Sequence, residues 1–174
     1  MAKIIWLTGL SGAGKTTLSK KINSFLKYNN KCLIIDGDSF RKKKKQFLFT
    51  KKNISKNNLQ IIDYCKKNFN KYDYIIVSVI SPLKKTRFYA NRIFKKNYFE
   101  IYVFASIKVL EKRDTKGLYA LSKKGLIDNL IGYNSKINYE KSEHQHLRIN
   151  TNILSLEDSL KKILLYSKVR YKSK

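Results

Sequence analysis

Short apolar runs alternate with longer stretches of helical period, and that alternation predicts an α/β protein: a three-layer, doubly wound sheet of about five parallel strands. Two further observations support the prediction. A glycine-rich turn separates the first apolar run from the first helical stretch, at the edge of a parallel sheet where ligands bind. The 174 residues suffice for one domain with a proper core, and the 43% hydrophobic fraction argues against wholesale disorder.

The elements follow in order. Ile4 to Thr8 reads as a buried first strand. The next helix carries Leu18, Ile22, Phe25 and Leu26 on one face, and Asn29-Asn30 end it. Cys32 to Ile35 is a second strand that closes on the acidic turn Asp36-Gly37-Asp38. Leu59, Ile62, Cys65 and Phe69 form a helical stripe within 54–69, and Tyr74 to Ile80 is a third strand. Ser81-Pro82 has the form of an N-cap with proline at the first helical position, opening a helix through Phe94. Phe99 to Ala105 is a fourth strand, and a short helix follows near 107–113. The stretch 114–143 is polar, holds Gly117, Gly125 and Gly132, and fits a mobile lid. Leu147 to Asn150 is a short last strand. Ser155-Leu156-Glu157-Asp158 resembles a capping box, with Leu160, Ile163 and Leu164 turned inward behind it. No repeat or linker divides the chain, so 1–174 is expected to be a single domain.

Composition narrows the function classes. No apolar run approaches the roughly 18–20 residues that cross a bilayer. The start is too short for a signal peptide, and Cys32 and Cys65 suggest no disulfide framework. A cytoplasmic protein with no membrane partner is expected. Lys and Arg number 38 against 12 Asp and Glu, a formal net charge of +26. Such a field favours polyanions, but lysine pairs recur in nearly every helical stretch, as scattered surface charge would. No stable nucleic-acid partner is expected. The run Arg41–Lys45 stands apart in mid-domain, and its role stays open. His144 and His146 lack the companions of a metal site and read as surface residues.

Gly9-Leu10-Ser11-Gly12-Ala13-Gly14-Lys15-Thr16 fits the pattern G-x-x-x-x-G-K-[ST] in full, followed by Thr17. Glycines let the backbone curl so that successive N–H groups face phosphate oxygens, and the following helix adds its positive end. Lys15 supplies a cation for the β- and γ-phosphates of ATP, and the Thr16 hydroxyl can ligate Mg²⁺. Strand before and helix after support the reading. The loop alone does not separate kinase from ATPase, GTPase or motor.

Beyond the loop, the chain resembles the adenylylsulfate kinase family. The resemblance rests on residues 9–18, then Asp36-Gly37-Asp38 with Arg41, and Ile80-Ser81-Pro82. It continues through Glu111-Lys112-Arg113-Asp114 and Lys116-Gly117-Leu118-Tyr119, with fainter matches at Gly132 and Asn138-Tyr139-Glu140. It implies a P-loop fold like that of nucleoside-monophosphate kinases, with ATP and Mg²⁺ as cofactors and a small nucleotide as acceptor. It also implies transfer of the γ-phosphate to a ribose 3′-hydroxyl. Asp38 would orient or deprotonate that hydroxyl, with Asp36 the competing carboxylate or an aid to Mg²⁺ through water; either could equally serve a turn or cap. Arg41 would hold the acceptor's phosphate, Ile80 and Ser81 would border the acceptor, and Lys116 and Gly117 would belong to the lid. Ser81 matches a serine that is phosphorylated in some members. Arg113 would touch ATP, or sit at a helix end in solvent. A homodimer is admitted but not specified.

The resemblance breaks on the acceptor side. Aligned without gaps, Asn58 takes an asparagine position of the family. Ser55 then stands where an arginine is usual, Gln60 and Ile61 replace an arginine pair, and Leu130 replaces an aromatic that stacks on adenine. Less stacking surface and fewer forked cations suit a smaller, less charged acceptor. The sequence therefore favours cytidine diphosphoramidate, the acceptor of a divergent branch in capsule biosynthesis, over adenylyl sulfate. Two rivals stay open: an ATP-dependent nucleic-acid-binding protein, whose affinity would be steeply salt-dependent, and a nucleotide-binding regulator without turnover.

Overall fold

The protein is described from a computed structural model covering residues 1–43, 50–142 and 147–169. Five strands alternate with seven α-helices among these residues: β1 Lys3–Thr8, α1 Lys15–Leu26, β2 Cys32–Asp36, α2 Gly37–Lys43, α3 Lys51–Asn68, β3 Tyr74–Ser78, α4 Lys84–Phe94, β4 Tyr98–Phe104, α5 Ile107–Arg113, α6 Leu118–Lys123, β5 Leu147–Asn150 and α7 Leu156–Tyr166. All strand pairs are parallel, and the sheet order is β2-β3-β1-β4-β5. The expected doubly wound, five-stranded parallel sheet is therefore present.

β1 is central, and it is apolar from Ile4 to Leu7 because both its faces are covered. Ile5 and Leu7 pack with Leu18, Ile22, Ile163 and Leu164 beneath α1 and α7. Ile4 and Trp6 face the other way, against Ile61, Ile62, Ala90 and Phe94 of α3 and α4. Register places Ile5 between Ile76 and Phe99. No helix among the described residues is long and apolar enough to cross a membrane.

Local chemistry sets the helix ends. The Thr50 hydroxyl accepts from Asn53 N at 3.2 Å and starts α3 before the expected stripe. The buried face of α3 is Ile54, Ile61, Ile62 and Cys65, whereas Leu59, placed in that stripe, is 38% exposed. The capping box holds: Ser155 Oγ accepts from Asp158 N at 3.0 Å and donates back to the Asp158 carboxylate at 2.6 Å. α1 ends at Leu26, whose carbonyl accepts from Asn30 Nδ2 at 2.9 Å.

Two expectations are corrected. Ser81 is not an N-cap and Pro82 is not helical: α4 begins at Lys84 with Leu83 at its cap, and Ser81 takes φ 44°. The first N–H of α4 instead donates to Glu140 Oε2 at 2.8 Å, an acidic partner supplied from far along the chain. The acidic turn runs directly into α2, because Asp36 Oδ1 accepts from Ser39 N at 3.0 Å. The stretch 114–143 contains α6, and its far end, 139–142, is tied to α4 and the sheet. His144, His146, Lys44, Lys45 and the 47–49 segment lie outside the described residues.

Replacing Ile5 by Ala should cost about 2–5 kcal/mol by urea unfolding, because its methyl groups leave a cavity between two layers. Ile153→Ala, at a position 79% exposed, should stay within about 0.5 kcal/mol.

Candidate active site

The loop after β1 curls against its neighbours so closely that glycine is required at its first position. Gly9 has φ 139°, and a Cβ there would lie 2.1 Å from the Val103 carbonyl oxygen of β4. On its other side Gly9 N donates to the Ile80 carbonyl at 3.3 Å. Gly12 and Gly14 are left-handed at φ 76° and 98°, and Gly14 leads directly into α1. Ser11, Gly12, Gly14, Lys15, Thr16 and Thr17 line a cleft of about 640 Å³ at the carboxyl edge of the sheet. Gly9, Leu10 and Ala13 shape the loop from behind instead.

Lys15 is only 9% exposed and donates to the Leu10 carbonyl at 2.7 Å. Burial, with the nearby Lys116 charge, brings its ammonium down to about 8, against the weaker pull of Asp38 and Asp36. The Thr16 hydroxyl donates to Asp36 Oδ2 at 3.1 Å and lies 3.5 Å from Ser78 Oγ. Sheet register makes this cluster, since Asp36 and Ser78 are direct partners across β2 and β3. Two hydroxyls and a carboxylate are hard oxygen donors that suit Mg²⁺. Among the described residues no group of three or more His, Cys, Asp or Glu gathers as a metal site. The donor set thus fits an ion that arrives with phosphates and keeps several waters.

Asp38, one turn into the cleft, pairs with Lys116. Burial works against its ionisation, but the Lys116 hydrogen bond and the charges of Lys116, Lys15 and Arg41 prevail and hold the carboxyl below its usual value. An ionised Asp38 orients a hydroxyl better than it removes a proton. Arg41 lines the same wall; burial lowers its guanidinium and Asp38 opposes that shift.

Across the cleft stand Asn58, Ile80, Ser81 and Leu130. Asn58 Nδ2 donates to Ser81 Oγ at 3.2 Å and to Thr86 Oγ1 at 3.4 Å, so its amide supports the wall. Lys116 reaches the cleft, but Gly117 does not. Gly117 is the left-handed cap of α6 at φ 67°, so its role is in the backbone. Arg113 lies beside the phosphate loop, donating to Thr151 Oγ1 at 3.0 Å and Thr151 O at 2.6 Å, while Thr151 Oγ1 donates to Ala13 O at 3.1 Å.

Ser55 is off the cleft and Ile61 is fully buried core, so neither side chain lines it; Ile54 and Asn58 are the residues of that stretch of α3 that do. The sequence reading also missed Ser78 and Thr151, small polar residues that only the sheet register brings to the loop. It missed Asn57 as well, which is fully buried on α3 with neither side-chain polar atom bonded.

The depressed Lys15 gives a pH dependence. A triphosphate on the loop restores the ammonium, so the bound state holds more protons than the free state above about pH 8. Affinity for ATP should be level below that value and fall above it, by up to about tenfold per pH unit. Calorimetry near pH 8.5 in buffers of different ionisation enthalpy should find uptake approaching one proton; affinity unchanged across this range contradicts the assignment.

Comparison with known proteins completes the description. A family profile described as Adenylylsulphate kinase matches residues 1–150. A probable adenylyl-sulfate kinase of Pyrococcus abyssi is 36% identical over 166 residues, covering 94% of each chain. The APS kinase CysC of Mycobacterium tuberculosis, solved with AMPPNP and APS, superposes with a TM-score of 0.87 at 24% identity over 96% of this chain and 98% of that one. A hexameric APS kinase from Thiobacillus denitrificans superposes at 0.67 with 21% identity, over 95% of this chain and 28% of the larger one. The loop, the acidic turn and the profile match agree: this chain belongs to the adenylylsulfate kinase family and is an ATP-dependent phosphotransferase acting on a hydroxyl group.

Proposed function

We propose that the enzyme transfers the γ-phosphate of ATP to the ribose 3′-hydroxyl of adenylyl sulfate, making 3′-phosphoadenylyl sulfate. The observation that carries the reading is the presence in one cleft of a buried loop lysine and an ionised aspartate, Lys15 and Asp38, near enough for each to feel the other's charge. The choice of adenylyl sulfate is supported by the Pyrococcus abyssi relative, which matches along nearly its whole length.

The residues divide the work. The loop amides and Lys15 hold the triphosphate, and Lys15 leaves the Leu10 carbonyl to meet charge developing on the transferred group. Thr16 would hold Mg²⁺ with Asp36 and Ser78 close by, and the ion would supply positive charge to the phosphate oxygens. Asp38 accepts a hydrogen bond from the attacking hydroxyl once Lys116 turns to phosphate. The loose transition state of phosphoryl transfer asks for alignment more than for a strong base. Arg41 meets the acceptor's phosphate, and Arg113, fixed by Thr151, lies against the bound ATP. A cytoplasmic location is part of the proposal, supported by the need for ATP. Assembly of several copies is part of the proposal, supported by the hexameric structural relative.

Cytidine diphosphoramidate stays as a second reading on one observation: no aromatic side chain among the described residues lines the cleft, and Ile54, Leu130 and Ile131 form its apolar wall. Such a wall gives less stacking to a purine. Offering ATP with equal amounts of both acceptors, and identifying the 3′-phosphorylated product by mass spectrometry, separates the two. Preference for adenylyl sulfate is expected; preference for the cytidine nucleotide transfers the assignment to the second reading.

A further inference from the structure

Ser81 holds a left-handed backbone, φ 44°, while being fully buried in the acceptor wall. A non-glycine residue persists there only when its surroundings over-determine it. The surroundings are specific. Ser81 O accepts from Arg87 NH1 at 2.6 Å, Ser81 Oγ accepts from Asn58, and Pro82 O accepts from Glu140 N at 2.9 Å. Ile80 O accepts from Thr8 Oγ1 at 2.5 Å and from Gly9 N of the phosphate loop. Each carbonyl of the turn is thus engaged.

Arg87 is the centre of this arrangement. It is 1% exposed, an uncommon place for a cation, and every arm of its fork is used. Nε donates to Glu100 Oε1 at 3.0 Å and to Ser142 Oγ at 3.1 Å, and NH2 donates to the Glu140 carbonyl. Its guanidinium carbon lies 4.9 Å from the centre of the Tyr139 ring, which stacks on Tyr102 and whose hydroxyl is 3.0 Å from Thr8 Oγ1. None of these groups opens onto the cleft, so the cluster is no binding site. It joins the 139–142 strand of chain, α4 and β4 to the one turn that faces both the loop and the acceptor.

We infer that Arg87 is a positioning residue: acting through the Ser81 carbonyl, it fixes the Ile80–Ser81 wall at a set distance from the phosphate loop and so aligns the acceptor hydroxyl with the triphosphate. The inference rests on the proposed seat of the acceptor against that wall. A buried ion pair is a poor source of stability compared with apolar packing. A forked cation that satisfies two carbonyls, however, specifies one backbone arrangement.

Arg87→Lys keeps the charge opposite Glu100 but cannot reach both carbonyls, and Tyr139→Phe removes only the Thr8 link. Hydrogen exchange in the ligand-free protein reads the wall directly. In Arg87→Lys the amides of Gly9 and Glu140, which donate to the Ile80 and Pro82 carbonyls of the wall, should exchange at least about tenfold faster while those of Ser11–Thr16 stay unchanged. Tyr139→Phe should give a smaller change of the same pattern. With adenylyl sulfate, Arg87→Lys should lose about tenfold or more in acceptor kcat/KM while the KM for ATP stays within about twofold. Unchanged exchange at the wall, acceleration equal at wall and loop, or equal losses for ATP and acceptor overturns the inference. If the unmodified enzyme does not phosphorylate adenylyl sulfate, the substrate reading fails by itself, and the exchange pattern still decides the role of Arg87.

Discussion

The approach of Gly9 to its neighbours is the constraint from which the rest of the site follows. Its α-carbon faces the Val103 carbonyl too closely for any side chain, and its N–H reaches the Ile80 carbonyl. The phosphate loop is thereby fixed to β4 on one side and to the end of β3 on the other, at the point where the strand order reverses. Everything that touches a ligand hangs from these two attachments. Lys15 is buried because the loop closes over it, and Asp36 meets Thr16 because β2 and β3 end in register. The acceptor wall begins at the very carbonyl that Gly9 holds.

Electrostatics then sorts the groups into roles. Two carboxylates and four cations share one cleft. Lys116 pulls Lys15 down and Asp38 down together. In the ligand-free protein each charge has a protein partner: Lys15 the Leu10 carbonyl, Asp38 the Lys116 ammonium. In the proposed reaction substrate phosphates replace those partners, so binding would be an exchange of contacts within a preformed frame. The wider charge of +26 adds a general attraction for anionic nucleotides without choosing among them.

Much of this was legible in the sequence, for physical reasons that differ by element. The central strands could be read because burial on both faces leaves only apolar side chains from Ile4 to Leu7 in β1. The loop could be read because its conformation admits so few residues. What failed did so at long range. Ser81-Pro82 follows the local grammar of a helix start, but Arg87 and Glu140 impose a different backbone. Ser78 and Thr151 carry no signal of their own, since a small hydroxyl at a strand end is meaningful only beside its neighbour in the sheet. On α3 a shift of one residue turns a side chain by about 100°, which separates Ile54 in the cleft from Ser55 outside it. Leu130, by contrast, keeps its place on the wall.

The account stands on a lysine ammonium, held in a dry glycine loop, that meets the charge of the group in flight. The measurement that probes this most directly is single-turnover transfer from ATP by Lys15→Ala, with folding verified by its unfolding midpoint. The account predicts that the variant folds as the parent does and transfers phosphate at least about a hundredfold more slowly. Transfer at the parent rate would contradict it.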